Sequence, residues 1–233
     1  MRECGMLLPV ASLPSRYGIG AFSKEAYDFI DTLKAAGQSF WQILPLGPTG
    51  FGDSPYQSFS AFAGNPYFID LEKLTEEGLL TREECLDADF GNDERDIDYK
   101  KIYDGRFPLL RKAYERWKAG RSPELVHELA GRKLGDETRE YCFYMAVKNH
   151  FDSCSWNLWD EGIRLRKPEA LEAYRAMLTD EIGFYEFQQI KFEEQWDALK
   201  KYAHEQGIRI IGDIPIYVAF DSADSWSRPE LFQ

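Results

Sequence analysis

Read from the amino terminus, apolar residues first gather in a short block, Met6-Leu7-Leu8, with Pro9 behind it. Proline cannot donate to a ladder, so it ends this strand or sets it at a rim. Helical periodicity takes over at Ser23. Ala26, Phe29, Ile30 and Leu33 recur on one face, Ser23 stands where an N-cap belongs, and Gly37 stands where a terminating glycine belongs. A second apolar block at 40–44 is closed by Pro45, Gly47 and Pro48. Strand, helix and strand in that order read as a βαβ unit, hence an α/β chain. From about residue 70 to residue 179 charge rises and helical patterns follow one another. Thr81–Glu84 has the form of a capping box. Residues 99–118 carry helical signals, with Pro108 predicting an interruption and Gly120 a stop. Ser122-Pro123 predicts an N-cap with proline at the first helical position, Asp136 the start of a helix through Tyr141, Phe143 and Val147, and Pro168 one more. This block reads as a helical insertion, in which Trp156 and Trp159 suit a core better than a ligand platform. The longest helical stretch, 180–206, sets Ile182, Tyr185, Phe192, Trp196, Leu199 and Ala203 on one face and stops at Gly207. A third apolar block, 208–211, follows. The expected strands are therefore 6–9, 40–44 and 208–211.

The loop at 45–66 turns this outline towards chemistry. It is long, aperiodic and rich in glycine, proline and small hydroxyls, and such loops are functional or disordered. Its aromatics and those just after it, Phe51, Tyr56, Phe59, Phe62, Tyr67 and Phe68, argue against disorder. Aromatic faces beside Ser, Gln and Asn suit a ligand with apolar faces and many hydroxyls, which describes a sugar. A loop that only covers a core would satisfy the same pattern. In parallel α/β folds ligand sites form at the carboxyl ends of strands, and both this loop and Asp213 take that place. Asp213 reads either as a catalytic or ligand-positioning acid, or as a cap or hydrogen-bonded loop residue. Asp221 reads as a helix N-cap.

Charge narrows the partners. With 28 basic and 40 acidic side chains the formal charge is −12, which disfavours nucleic acid and anionic membrane. No apolar run approaches the roughly 18 residues that would span a bilayer, and only a short apolar run follows Met1–Gly5, so neither a membrane segment nor a leader is expected. Cys4, Cys85, Cys142 and Cys154 lack C-x-x-C spacing and read as free thiols of a cytoplasmic protein. There is no G-x-S-x-G elbow, Walker A loop or H-E-x-x-H, and Gly18-x-Gly20 lacks the third glycine of a dinucleotide site. His127, His150 and His204 all lie outside the conspicuous loops, which argues against zinc and against a histidine catalyst. Carboxylates, hydroxyls and aromatics are left, the kit for glycoside chemistry.

Four stretches carry a resemblance: Leu13-Pro14-Ser15 through Gly18-Ile19-Gly20; Trp41 through Thr49; Asp53–Ser58 with Ser60–Pro66; and Gly212–Ala219 with Asp221–Asp224 and Trp226. In these, from end to end, the chain resembles the amylomaltases, the 4-α-glucanotransferases. The resemblance implies the amino-terminal portion of a (β/α)₈ (TIM) barrel with an inserted helical subdomain. Residues 1–75 would hold the first barrel strands and sugar-binding loop, 76–179 the insertion, and 180–233 a barrel helix, the third strand and the loop after it. It implies transfer of α-1,4-glucan segments between maltooligosaccharides by a retaining mechanism, without metal or organic cofactor. By motif, Tyr56 would contact sugar, Ser54, Pro55 and Gln57 would shape its loop, and Asn65 would hold that loop. Asp213 would position substrate and catalytic groups without being the nucleophile. The family's nucleophile, acid/base and third carboxylate fall in later segments than these 233 residues, and three strands cannot close an eight-stranded barrel. The chain by itself is therefore expected to be inactive, with exposed apolar surface at an open sheet edge. A non-catalytic maltooligosaccharide-binding fragment is the alternative.

Overall fold

The computed structural model describes residues 2–50, 53–91, 93 and 95–232. In chain order the elements are β1 (Gly5–Leu7), α1 (Lys24–Ala35), β2 (Phe40–Gln42), α2 (Leu71–Glu76), α3 (Arg82–Asp87), α4 (Tyr99–Lys118), α5 (Pro123–Lys133), α6 (Asp136–His150), α7 (Glu161–Arg164), α8 (Pro168–Met177), α9 (Thr179–Glu205), β3 (Arg209–Ile211) and α10 (Ala223–Ser227). They form two compact units. One comprises Met1–Leu46, Asn65–Ala119 and Lys191–Ile214, and the other Gly47–Gly64, Gly120–Ile190 and Pro215–Gln233.

The first unit is built on a parallel sheet of order β1-β2-β3, in which Trp41 pairs with Met6 on one side and Ile210 on the other. Trp41 is fully buried, donates its indole N–H to the Leu8 carbonyl at 2.8 Å, and meets Phe29 of α1 edge-on. The two outer strands are wetter: Met6 and Leu7 stay 48% and 54% exposed, although parallel strands are usually covered on both faces. β1 begins one residue earlier and ends two residues earlier than expected, because Val10–Ser12 turns into a 3₁₀ helix. Gly20 explains part of the glycine pair near it. A Cβ there would fall 1.9 Å from the Val10 carbonyl oxygen, so its role is close backbone approach. Gly37 ends α1 at φ +68°, as a C-terminal glycine should.

α4 runs unbroken through Pro108, where an interruption was expected. Pro108 and Asp104 four residues earlier both face solvent, so water can take the carbonyl that loses its amide partner. On its buried side α4 carries Arg106. This guanidinium donates to the Ile69 carbonyl at 2.6 Å and the Tyr17 carbonyl at 3.5 Å, and burial pulls its pKa down to about 10. Beside it Asp70 caps α2, accepting from the Glu72 amide at 3.1 Å. Burial pushes the Asp70 carboxyl up to about 6, against the opposing pull of that amide, Lys73 and Arg106. Phe22 completes this core against Phe68, Phe192 and Trp196.

The second unit has an aromatic core. Trp226 of α10 packs against Phe143, Tyr144 and Trp159, with the Arg166 guanidinium 4.2 Å from its ring centre. Trp159 is buried as expected, but Trp156 is only half-buried: it stacks on Phe220 and donates to the Phe220 carbonyl at 2.7 Å. At the centre lies Asp221. One oxygen accepts from Lys148 Nζ at 2.6 Å, and the other accepts from the Tyr144 hydroxyl at 2.6 Å and the Trp156 amide at 3.3 Å. Lys148 spends its other protons on the carbonyls of Ser153 and Cys154. So committed, Asp221 is not the cap of α10; Ser222 is, accepting from the Ser225 amide.

α9 does not bury one face alone, as its periodicity suggested. Residues 182–192 are buried without a break, polar ones included. Three of those polar side chains have partners: Glu186 meets His127 at 2.6 Å, Lys191 meets Glu77 at 2.6 Å, and Gln189 bonds the backbone of Gly64, whereas Gln188 Nε2 is buried without a hydrogen bond among the described residues.

Two tests follow from these buried groups. Because the folded-state pKa of Asp70 is raised above 3.8, the folded chain holds this proton more tightly than the unfolded one. The contribution to stability is greatest below pH ~4, falls as pH rises to ~6 and is then flat. Asp70→Asn keeps an oxygen for the cap, so it should raise stability at pH 7 by about 2 kcal/mol and leave it unchanged at pH 4, measured by urea unfolding at both pH values. Lys148→Met strands the Asp221 carboxylate and should cost about 3 kcal/mol, read as a fall of several degrees in melting temperature, whereas Asp221→Asn should cost less.

Candidate functional site

The loop after β2 folds on itself before it presents anything. Thr49 and Ser58 form an isolated antiparallel bridge, and the Gly50 amide donates to the Gln57 carbonyl at 3.1 Å. Asp53 enters the turn at φ +55°, a conformation that Asp tolerates better than most residues. Ser54 then closes a local turn: its hydroxyl accepts from the Tyr56 amide at 3.3 Å, and its carbonyl accepts from the Gln57 amide at 3.0 Å. Ser54, Pro55, Tyr56 and Gln57 are thus one structural piece, with the Tyr56 ring 39% exposed at its tip. Ser58, buried, ties the base of the turn through bonds to the carbonyls of Pro48 and Ser60. Phe51 lies outside the described residues. The arrangement can offer an aromatic face and neighbouring hydrogen-bonding groups to a polyhydroxylated ligand.

The turn at 54–57 belongs to the second unit, while Asn65 and Asp213 belong to the first. Asn65 is buried and works on its own backbone. Its side-chain oxygen accepts from the Tyr67 amide at 2.9 Å and its amide donates to the Leu46 carbonyl at 2.8 Å. Asp213 stands two residues past the carboxyl end of β3 and accepts from the Ile214 amide at 2.9 Å.

Sequence reasoning missed the groups that hold this loop. In the second unit Gln189 accepts from the Gly64 amide at 2.8 Å and donates to the Gly64 carbonyl at 2.9 Å. In the first unit Gln195 accepts from the Asp70 amide at 2.7 Å and donates to the Asp70 carbonyl at 3.3 Å. Both glutamines are almost fully buried. The available signal was their position: polar, uncharged side chains inside the apolar run of a long helix. Among the described residues no group of three or more His, Cys, Asp or Glu could hold a metal ion, and no helix is long and apolar enough to cross a membrane.

Comparison with known proteins agrees with the four motif stretches. A family model described as 4-alpha-glucanotransferase matches residues 8–233. The 4-alpha-glucanotransferase of Clostridium butyricum is 46% identical over 223 residues, which is 96% of this chain and 45% of the relative. That of Thermus thermophilus is 45% identical over 99% of this chain and 46% of its own length. The solved amylomaltase of Streptococcus agalactiae in complex with acarbose superposes with a TM-score of 0.93 at 42% identity, covering 100% of this chain and 47% of that one. The chain thus spans under half the length of the relatives it matches. With its parallel α/β sheet, its motif loops and this match along nearly its whole length, the chain belongs to the 4-alpha-glucanotransferase family.

Proposed function

We propose that this chain is the amino-terminal portion of a 4-α-glucanotransferase that moves α-1,4-glucan segments between maltooligosaccharides. The observation that carries the reading is the family match over residues 8–233. In this reading the three parallel strands are the first three of a (β/α)₈ barrel. Tyr56 lies against a glucosyl ring, Ser54, Pro55 and Gln57 fix its turn, Asn65 holds the loop through backbone bonds, and Asp213 positions the substrate. Retention of anomeric configuration needs a nucleophilic carboxylate and an acid/base carboxyl about 5–5.5 Å apart, and transfer needs a sugar hydroxyl to reach the covalent intermediate before water. The reading assigns those carboxylates to family segments beyond the 45% of the relative that this chain matches. The 233 residues then bind glucan and do not turn it over. No metal or organic cofactor enters this scheme, and the expected location is the cytoplasm.

The chain incubated with maltotriose should release neither glucose nor longer oligosaccharides. Joined to the remaining segment of the Clostridium butyricum relative, it should do both. In that joined enzyme Asp213→Asn should lower kcat/KM by about 10²-fold, as loss of positioning does. Turnover by the 233 residues unaided would place the catalytic carboxylates inside them and overturn the assignment.

A further inference from the structure

In the second unit, α6 carries an ammonium that belongs to none of the four motif stretches yet stands where two motif loops meet. Lys148 is buried; its Nζ donates to Asp221 Oδ2 at 2.6 Å and lies over the Phe59 ring, 5.4 Å from its centre. Phe59 belongs to the loop after β2, and Asp221 to the loop after β3. We propose that Lys148 is a positioning residue for glucan transfer, clamping these two loops to each other without touching substrate. The proposal rests on the glucan reading above and adds a residue of α6 to the machinery.

The three protons of this ammonium are all spent. One goes to Asp221, one to the Ser153 carbonyl at 2.9 Å and one to the Cys154 carbonyl at 3.2 Å. None is left for a sugar hydroxyl, and the side chain is only 7% exposed. The turn that supplies the two carbonyls is bent to reach it. Asp152 and Ser153 hold φ of +50° and +62°, left-handed values that two successive non-glycine residues keep only where their surroundings impose them. Tyr144, one turn back on α6, donates to the other Asp221 oxygen at 2.6 Å, so the helix grips that carboxylate from two positions.

The two loops also touch directly. The Ala223 amide donates to the Phe59 carbonyl at 2.8 Å, and the Ala61 amide donates to Asp224 Oδ2 at 2.9 Å. Two bonds between irregular segments leave a pivot about the line that joins them. A cation held over the Phe59 ring and bonded to Asp221 adds a third point. The turn at 54–58 keeps its own shape through Ser54 and Ser58. What Lys148 governs is therefore where that turn lies with respect to residues 215–220. A displacement of about 1 Å in such a relation can cost about 10²-fold in rate.

The test removes the lysine together with the charge it neutralises. Lys148→Met/Asp221→Asn leaves no stranded carboxylate, so its melting temperature should recover most of what Lys148→Met alone loses. In the 233-residue chain, hydrogen exchange at the Ala61 and Ala223 amides should nonetheless quicken about tenfold, while the Val126 amide, bonded to the Ser122 carbonyl at the start of α5, keeps its rate. In the joined enzyme the double variant should lose about tenfold in kcat on maltotriose, with KM changed less than about threefold. Unchanged exchange at Ala61 and Ala223 would overturn the clamp, whatever the joined enzyme does. A double variant that regains stability and kcat together would reduce Lys148 to a counter-ion of Asp221 and overturn its positioning role. Failure of the unaltered joined enzyme to transfer would overturn the glucan reading and with it the role in transfer, while the exchange rates would still decide whether the clamp exists.

Discussion

Two primary amides determine how the loop segment from Gly64 to Asp70 lies. Gln189 and Gln195 each accept from one backbone amide and donate to the carbonyl of the same residue, at Gly64 and at Asp70. A loop backbone that leaves solvent must find partners for every N–H and C=O, and irregular chain has no ladder to provide them. A side-chain amide is the one neutral group that offers a donor and an acceptor in a single plane. A carboxylate of the same shape would face the carbonyl without a proton, and a leucine would leave two buried backbone groups unpaired at about 1–3 kcal/mol each. The motif residues between these points, Asn65 included, are laid out on that support.

The buried charges solve the same problem by other means. Arg106 is spent on carbonyls of residues 17 and 69, and Lys148 on carbonyls of residues 153 and 154 as well as on Asp221. Each cation gathers chain segments distant in sequence and caps their oxygens. Burial of such groups is costly; Lys148 offsets it with a bond from its ammonium to each of three oxygens, whereas Arg106 leaves its Nε buried without a partner among the described residues. Their contribution is to define where loops go, while the aromatic cores around Phe22 and Trp226 supply the drive to exclude water.

Local signals in the sequence carried far. The capping box at Thr81 and Glu84 is present with both bonds, Ser122 caps α5 ahead of Pro123, and α8 opens on Pro168. Such features depend on neighbours within four residues, so a linear reading reaches them. The parallel pairing of the three strands also followed from their order. What escaped were features fixed by residues far apart. Pro108 was read as a breaker because its solvent-facing register was unknown, and Asp221 as a cap because Lys148 lies 73 positions away. Of the site residues, the turn at 54–57 was legible as a loop with aromatic and hydroxyl content, but the bonds that hold it are set by Ser58 and by chain folding back on itself. The glutamines of α9 went unnoticed because a helical pattern records polar residues only as interruptions of an apolar face.

Trp156 has an optical consequence. The chain has six tryptophans, and Trp41, Trp159 and Trp226 are sealed in cores, where their emission reports only whether the fold persists. Trp156 is half-exposed, lies flat on the Phe220 ring and is bonded to the Phe220 carbonyl. Whatever draws the segment at 215–220 off that indole exposes it to water and moves its fluorescence to longer wavelength. The protein therefore carries its own dye at that segment, read against a background from the other five indoles.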